Sequence, residues 1–591
     1  MSYGHSAVPF SATLQVGQQL LESIGSVRCL SVHILASAYL VDAYEPDTFW
    51  AELKSLSIDP TLYLESDLNR FADDYQATVL YSKLPPKDAQ DADRLRSAAI
   101  NAFREGEIRN MQFNDAFSFH NESTTFLKLD KLGVSIETIR AKLAMILGKA
   151  PSLQSLADSA EWTEGASVSL NNRHACSFEK SYRGTTCTIG LAKALASSGV
   201  LLPADVPSTP WTLVMGNLVS TVLKNLVTDR TIAAEPDINL LFQRSIGLKI
   251  SRRLRRFGID LSNQYNNQRA CLLAFVRGWA TVDLKDASNS NILLPILALL
   301  DSEWRDLIVA TRSPYGTFSS RKDVLSRKAE WFEYNMLSSM GNGFTFELET
   351  AVFLAIALAC GCDLGETWVY GDDIIIPQAK VSLVSQVLSI FGHSVNYEKS
   401  FTEGTFFESC GIYAYCGVDI TPLKIKDYLH APKDTIVLAN KLRVYAHCRR
   451  YYNGCDKRVL PAWQMCIRRL PDYVRKHCRG PVNSGLLLYV NPTEMVVPNT
   501  KRAKAHGMIA VSQLVPEMKP LLFSYHENTL LYSLRYVNGG SRRYCPSGIS
   551  EVSSFDPAPQ FAFLNAVKES QIGWRVSALK VSSWYDMGFW Q

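Results

Sequence analysis

Residues 367–377, TWVYGDDIIIP, set two adjacent carboxylates, Asp372 and Asp373, between apolar and β-branched flanks. The flanks read as two strands joined by a tight turn at Gly371 and Asp372. Successive strand side chains point to opposite faces, so a turn is what lets both carboxylates reach one ion. Left bare beside apolar strands, the two charges would repel and lose hydration. A divalent cation removes both costs, and Mg²⁺ favours hard oxygen ligands: one or two carboxylates completed by phosphates and water. A third carboxylate at the end of a neighbouring strand would complete two ion sites about 4 Å apart, an arrangement used for phosphoryl transfer. Asp283 in WATVDLKDAS is the candidate, because the residues before it are apolar and 278–284 reads as a strand. An ordinary turn is the competing reading of each segment.

The rest of the chain limits what surrounds this hairpin. At 591 residues it is too long for one core and should divide into about two to four subdomains. With 47% apolar and 20% charged residues it is not a disordered chain. The longest apolar runs, 292–300 and 351–361, fall short of the roughly 18–20 residues a bilayer requires, so no membrane partner is expected. No Lys or Arg precedes Arg28, and the thirteen cysteines are scattered, with Cys360 and Cys362 one residue apart. We read reduced thiols in a cytosolic protein. FTFELETAVFLAIALACG reads as a helix too apolar for a surface, and KDASNSNILLPILALL offers Ser and Asn caps before another. Residues 441–479 hold eleven Lys and Arg against Asp456 and Asp472, interleaved with Tyr451, Tyr452, Trp463 and Tyr473. That pattern points to RNA or DNA contact, against the plainer reading of solvated helix faces.

YGDD preceded by TVDL resembles the RNA-directed RNA polymerases. The segments TDRTIAAEP (228–236), GIDLSNQYNNQR (258–269), SSMGNGFTFELET (338–350), VYGDDIIIP (369–377), FTEGTFFESCG (401–411) and YCGVDITP (415–422) are similar to the replicase subunit of the small RNA bacteriophages, the leviviruses. The resemblance runs from about 220 to 425. It implies an α+β right-handed polymerase with fingers, palm and thumb, the palm an antiparallel sheet backed by helices. The expected divisions are an N-terminal region at 1–110 packing on fingers and thumb, fingers at 111–270, and a palm at 271–400 with a fingers insertion near 302–336. A primer-grip-like hairpin at 401–425 and a thumb with C-terminal region at 426–591 complete it. The implied reaction is template-directed addition of ribonucleotides to an RNA 3′ end, begun without a primer, in the cytoplasm of an infected bacterium. The implied partners are RNA template and product, ribonucleoside triphosphates, host translation elongation factors and a host ribosomal RNA-binding protein.

The resemblance also implies roles. Asp283, Asp372 and Asp373 would hold two Mg²⁺ ions, for which Mn²⁺ or Ca²⁺ can substitute in binding. Lys224 and Arg230 would face the triphosphate, with Glu235 orienting Arg230; a solvated basic strand is the alternative. Ser339, Gly341, Asn342 and Thr345 would approach the nucleotide sugar or the template, or else cap a helix. Many such polymerases carry Asp five residues after the first catalytic Asp and Asn four after the Thr, where this chain has Ser288 and Glu349. The readers of the ribose 2′-hydroxyl are therefore open among Ser288, Asn289 and Asn342, with Asp286 beside them read as a helix start. Lys399 would be the general acid for pyrophosphate, with His393 its rival, unless neither serves. Arg252, Arg253, Arg255 and Arg256 either touch RNA backbone or face solvent, and Arg449, Arg450, Tyr451 and Tyr452 are assigned to RNA. Cys410 has no basic neighbour to activate it and is read as structural. A reverse transcriptase and a catalytically dead RNA-binding palm are the rival functions.

Overall fold

A computed structural model describes residues 7–86, 89–119, 121–171, 177–207, 210–449, 454–494, 509–517, 573–581 and 584–591. Arg450, Tyr451 and Tyr452 lie outside these residues. The chain mixes helices and sheets in an α+β arrangement. At its centre is a four-stranded antiparallel sheet in the order Ser394–Val395, Trp279–Lys285, Asp373–Pro377, Trp368–Tyr370. Alternation along the strands sends Val282, Leu284, Ile374 and Ile376 into the main core beneath the sheet. Trp279 and Ile375 go to the other face, against Cys271 of the helix Tyr265–Arg277 and Phe407 of a following hairpin. The run Ile374, Ile375, Ile376 is thus apolar on both sides because the sheet is covered on both sides.

The helix Thr345–Ala359 lies in the main core, and every residue from Leu348 to Leu358 is buried. It packs against the helices Ile136–Leu147 and Asp237–Leu254, so the expected all-round apolar helix is enclosed. The expected side-chain cap on the helix Leu293–Leu299 is not local: Ile292 stands at its N-cap, and the Leu294 amide donates to Asn114 Oδ1 at 3.0 Å. Asn291 is instead spent on Glu349, at 3.1 Å.

A second four-stranded sheet runs Asp229–Ala234, Gly216–Leu223, Tyr315–Thr317, Phe332–Glu333. Residues 302–336 therefore return two short strands to a sheet begun about 100 residues earlier, within the range of long crossovers between parallel neighbours. After the central sheet, Phe406–Ser409 and Ile412–Tyr415 form a hairpin turned at Cys410 and Gly411, whose φ values of 50° and 76° suit a type I′ turn.

The N-terminal helices Ala7–Ile24 and Val27–Leu40 share a second core with the helices Pro432–Cys448 and Leu460–Arg469. Gln76 seals the junction. Its Nε2 donates to the Leu423 carbonyl at 2.8 Å and its Oε1 accepts from the Leu423 amide at 2.7 Å. The Ile425 amide donates to the Leu80 carbonyl at 2.9 Å. Asp73 accepts from Arg449 at 2.6 Å and from Arg458 at 2.8 Å, and Arg458 also holds Asp456. Arg443 is wholly buried, paired with Glu494 and lying 4.5 Å from the Trp590 ring centroid. The basic stretch is thus partly neutralised by acids remote in sequence. Arg449 in particular turns inward to Asp73 rather than outward to a polyanion. The eleven described cysteines are all free, and no helix among the described residues is long and apolar enough to cross a membrane.

Candidate active site

The central sheet brings the three aspartates to one end. Asp283 and Asp373 are register partners on adjacent antiparallel strands, and Asp372 occupies the turn between Asp373 and Tyr370. Like charges directly opposite across a sheet are destabilising, so this pairing needs a counter-charge. Gly371 makes the turn possible. Its φ is +60°, and a Cβ there would lie 2.4 Å from the Phe346 ring. Its amide donates to Thr350 Oγ1 at 3.0 Å, fastening the turn to the buried helix.

The side chains differ in surroundings. Asp283 is mostly buried. Its Oδ2 accepts from Asn396 Nδ2 at 2.7 Å and lies 3.7 Å from Lys399 Nζ, while its amide donates to Ser400 Oγ at 3.0 Å. Burial raises its pKa, with the charge of Asp372 adding and Lys399 opposing. Asp373 is pushed up to about 6 by burial and then by Asp372; Ser409 Oγ donates to it at 3.4 Å. Asp372 is exposed. Beneath them Glu349, 3% exposed, is pushed up to about 8, first by burial and then by Asp372. It accepts from Ser288 Oγ at 3.2 Å and from Asn291. Glu408 on the hairpin is pushed up to about 7 by burial and then by Asp373. Carboxyls that resist ionisation side by side mark a site short of positive charge.

Cations gather opposite. Lys224 and Arg230 are exposed on the hairpin of the second sheet. The pKa of Lys224 is lowered by partial burial and by its neighbours Arg230 and Lys399, with Asp286 and Asp283 opposing. Lys83 is lowered by burial and by Lys224, Lys399, Arg230 and Lys426. Lys424 falls to about 8 through burial, with Glu408 opposing, and its ammonium sits 4.5 Å from the Tyr413 ring centroid. Lys83, Lys424, Asn396 and Ser400 escaped the sequence reading because each acquires its neighbours only through the fold. Glu349 carried a signal, being with Glu347 one of two charges in a largely apolar helix.

Glu235 and His393 are placed differently from expectation. Glu235 does not orient Arg230. It is 1% exposed and accepts from Asn217 at 2.7 Å, Gln243 at 3.0 Å and Ser313 at 2.6 Å, because it follows the strand into the core while Arg230 faces solvent. His393, the rival proton donor, is 1% exposed, edge-on to Phe353 and pushed down to about 3 by burial. Ser339, Asn342 and Thr345 are buried. Ser339 accepts from Asn217, Asn342 accepts from the Phe344 amide, and Thr345 donates to Ser338. Gly341, at φ +112°, lets its loop lie on the neighbouring strand, where a Cβ would meet the Ala233 carbonyl at 2.1 Å. Asn289 donates to Asp286, which precedes a short 3₁₀ turn with φ +49°. Arg253 is tied to the Met145 and Ile146 carbonyls and Arg255 to Asp260; Arg252 and Arg256 have no ion pair among the described residues.

Among the described residues no three Asp, Glu, His or Cys side chains converge as a ready ligand set. The donor chemistry nonetheless fits Mg²⁺, which takes one or two carboxylates and draws its remaining oxygens from phosphate and water. The raised pKa values of Asp283 and Asp373 are the observation that asks for a cation there.

One end of the central sheet thus gathers a carboxylate cluster, with Lys399 and Lys224 among the charges acting on Asp283. The family of RNA replicase beta-chains matches residues 31–543, and the chain belongs to that family. It is similar to the RNA-directed RNA polymerase subunit beta of Escherichia virus Qbeta, at 35% identity over 53% of this chain and 52% of the relative. The subunit beta of Enterobacteria phage SP matches at 32% over 72% of each, and the beta chain of Escherichia phage MS2 at 32% over 64% of this chain and 68% of the relative. The first of these matches spans about half the relative's length.

Proposed function

We propose that this chain is an RNA-directed RNA polymerase, adding ribonucleotides to an RNA 3′ end on an RNA template and releasing pyrophosphate. The observation that carries the reading is the register pairing of Asp283 with Asp373 beside Asp372 in the turn, in a chain of the replicase beta-chain family. In this reading the central sheet with its helices is the palm, the second sheet belongs to the fingers, and the C-terminal helices form the thumb.

Asp283 and Asp372 would hold Mg²⁺ with Asp373 in support. Bound there, two such ions would activate the attacking hydroxyl and neutralise the leaving pyrophosphate. The protein's own work is positioning. Lys224, Arg230 and Lys83 present charge to the triphosphate, whose roughly four negative charges two ions do not cover. Asn396 and Ser400 fix Asp283 through its carboxylate and its amide. Lys399, 60% exposed and beside Asp283, would give a proton to departing pyrophosphate. Gly371 and Thr350 lock the turn against the buried helix. Primer-independent initiation, the host translation factors as partners and the bacterial cytoplasm as the site of action belong to the same reading, by resemblance.

The test is Mg²⁺-dependent incorporation of labelled ribonucleotides on an RNA template, comparing wild type with Asp372→Asn and running deoxynucleotides in parallel. Incorporation of ribonucleotides that is lost in the variant is the expected result. Preference for deoxynucleotides would make the chain a reverse transcriptase. RNA binding without incorporation, even with host extract added, would make it a non-catalytic palm.

A further inference from the structure

The hairpin of Phe406–Ser409 and Ile412–Tyr415 meets Asp373 through Ser409, and the chain then leaves the aspartates along residues 421–426. That segment alternates as a strand does. Leu423 and Ile425 enter the second core, while Lys424 is half-buried and Lys426 is exposed. Gln76 and the Leu80 carbonyl fix the backbone of Leu423 and Ile425, so Lys83, three residues after Leu80, is carried alongside. Side chains two apart on an extended segment stand about 6.6 Å from each other. Lys441 follows in the helix Pro432–Cys448.

These cations form a row. Lys83, Lys426 and Lys399 act on Lys424, and Lys426 acts on Lys441. Lys224, Lys399, Arg230 and Lys426 all act on Lys83, which joins the row to the cations of the second sheet. Among the described residues only Lys399 of this set is in an ion pair, with Asp283. Lys424 donates to the Tyr413 hydroxyl and lies 4.5 Å from its ring centroid, contacts that hold the ammonium without cancelling its charge. Glu408, the acid nearest to hand, resists ionisation through burial and the charge of Asp373. Like charges so gathered repel one another, and a row of them without acidic partners suits a polyanion. A triphosphate does not account for the row, because two Mg²⁺ ions with Lys224 and Arg230 already meet its roughly four negative charges. The charges that act most on Lys224 are Arg230, Lys399, Asp286 and Asp283, and those on Lys441 are Lys426 and Asp427. The two ends of the row thus have no neighbour in common.

We infer that Lys424, Lys426 and Lys441 bind backbone phosphates of an RNA strand, the one whose 3′ end lies at the aspartates and is extended there. In-line transfer sets the attacking hydroxyl and the leaving pyrophosphate on opposite sides of the reacting phosphorus. Lys224 and Arg230, on the second sheet, take the pyrophosphate. The attacking strand then trails away past the hairpin that touches Asp373, where residues 421–426 begin. Contacts of this kind position a strand and carry no base preference. The inference rests on the polymerase reading for its choice of strand, but binding itself does not require turnover.

Salt-dependent binding by the full chain tests it. Fluorescence anisotropy follows a short labelled single-stranded RNA across a NaCl titration without Mg²⁺. For single strands each phosphate contact adds about 0.7 to the slope of log K against log salt. Lys426→Ala and Lys441→Ala should each flatten the slope by about 0.7 and the double variant by about 1.4, while Lys426→Arg keeps it. Lys54→Ala, an exposed lysine in the helix Pro46–Ser55, should leave the slope unchanged. Lys426 is exposed enough that its loss spares the fold, which a matching melting temperature verifies. A second arm assigns the strand, with 4-thiouridine placed near the 3′ end of the extended strand or opposite it in the template, followed by peptide mapping. Adducts from the extended strand on peptides spanning 423–441 are expected. Adducts there from the template alone, or a double variant with the wild-type slope, would overturn the inference. Failure of the polymerase reading shows separately, as absent ribonucleotide incorporation by wild type.

Discussion

Gly371 is the residue on which the geometry of the aspartates turns. A side chain there would have to accept a left-handed backbone and a collision with Phe346 at the same time. Gly371→Ala should therefore displace Asp372 and reduce incorporation by about 100-fold, the cost of roughly 1 Å of misplacement at a reacting centre. Template binding measured by filter retention should be unchanged. Glu349 offers a second test at this scale. Its folded pKa, about 8, is raised above the ordinary carboxylate value, so the protonated form is favoured in the native state. The stability this contributes is complete below the unfolded pKa and is lost as pH rises through about 8. Glu349→Gln keeps an acceptor for Ser288 and Asn291 without the charge. It should melt with wild type at pH 5 and above it at pH 9, and identical melting curves at both values would refute the assignment.

Elements divide into those that local pattern specifies and those that need distant partners. The strand before Asp283, the YGDD hairpin and the buried helix after Thr345 were legible, because side-chain period and burial agree along each of them. That the three aspartates meet at one end of the sheet was legible because charge interrupts apolar segments where nothing local explains it. The cap of Leu293–Leu299 was not. Its sequence offers Ser and Asn, yet the amide is met by Asn114 from the long helix Ala89–Phe119. Asn114 also donates to the Asn335 carbonyl at 2.8 Å, so one amide ties three segments. Asn114→Ala should cost about 1–3 kcal/mol in denaturant unfolding, and Ser290→Ala much less, the reverse of what the local sequence suggests. Glu235 misled in the same way. Read beside Arg230 it looks like an ion-pair partner, but the strand carries one residue out and the other into a buried ring of amide and hydroxyl donors.

At the scale of the whole molecule, the basic region after 441 shows what a linear charge count leaves out. Arg443, Arg449 and Arg458 meet Glu494, Asp73 and Asp456, so part of the basic count is internal structure. Asp73→Asn should leave two arginines without their shared partner, lowering stability by about 2–3 kcal/mol and loosening the N-terminal helices. Limited proteolysis would show it as new cleavage before residue 86, while Asp47→Asn, in an exposed pair with Arg94, should change little. The Gln76–Leu423 and Asp73–Arg449 contacts join positions 347 and 376 residues apart. At a ribosome adding about 5–20 residues per second, the partners of the first helices are not made until tens of seconds after those helices emerge. For that interval Leu14, Val32 and Leu80 lack the covering that Leu442 and Cys466 later help to supply. The closure that brings Lys83 near Lys224, Arg230 and Lys399 is thus a late event in the chain's synthesis.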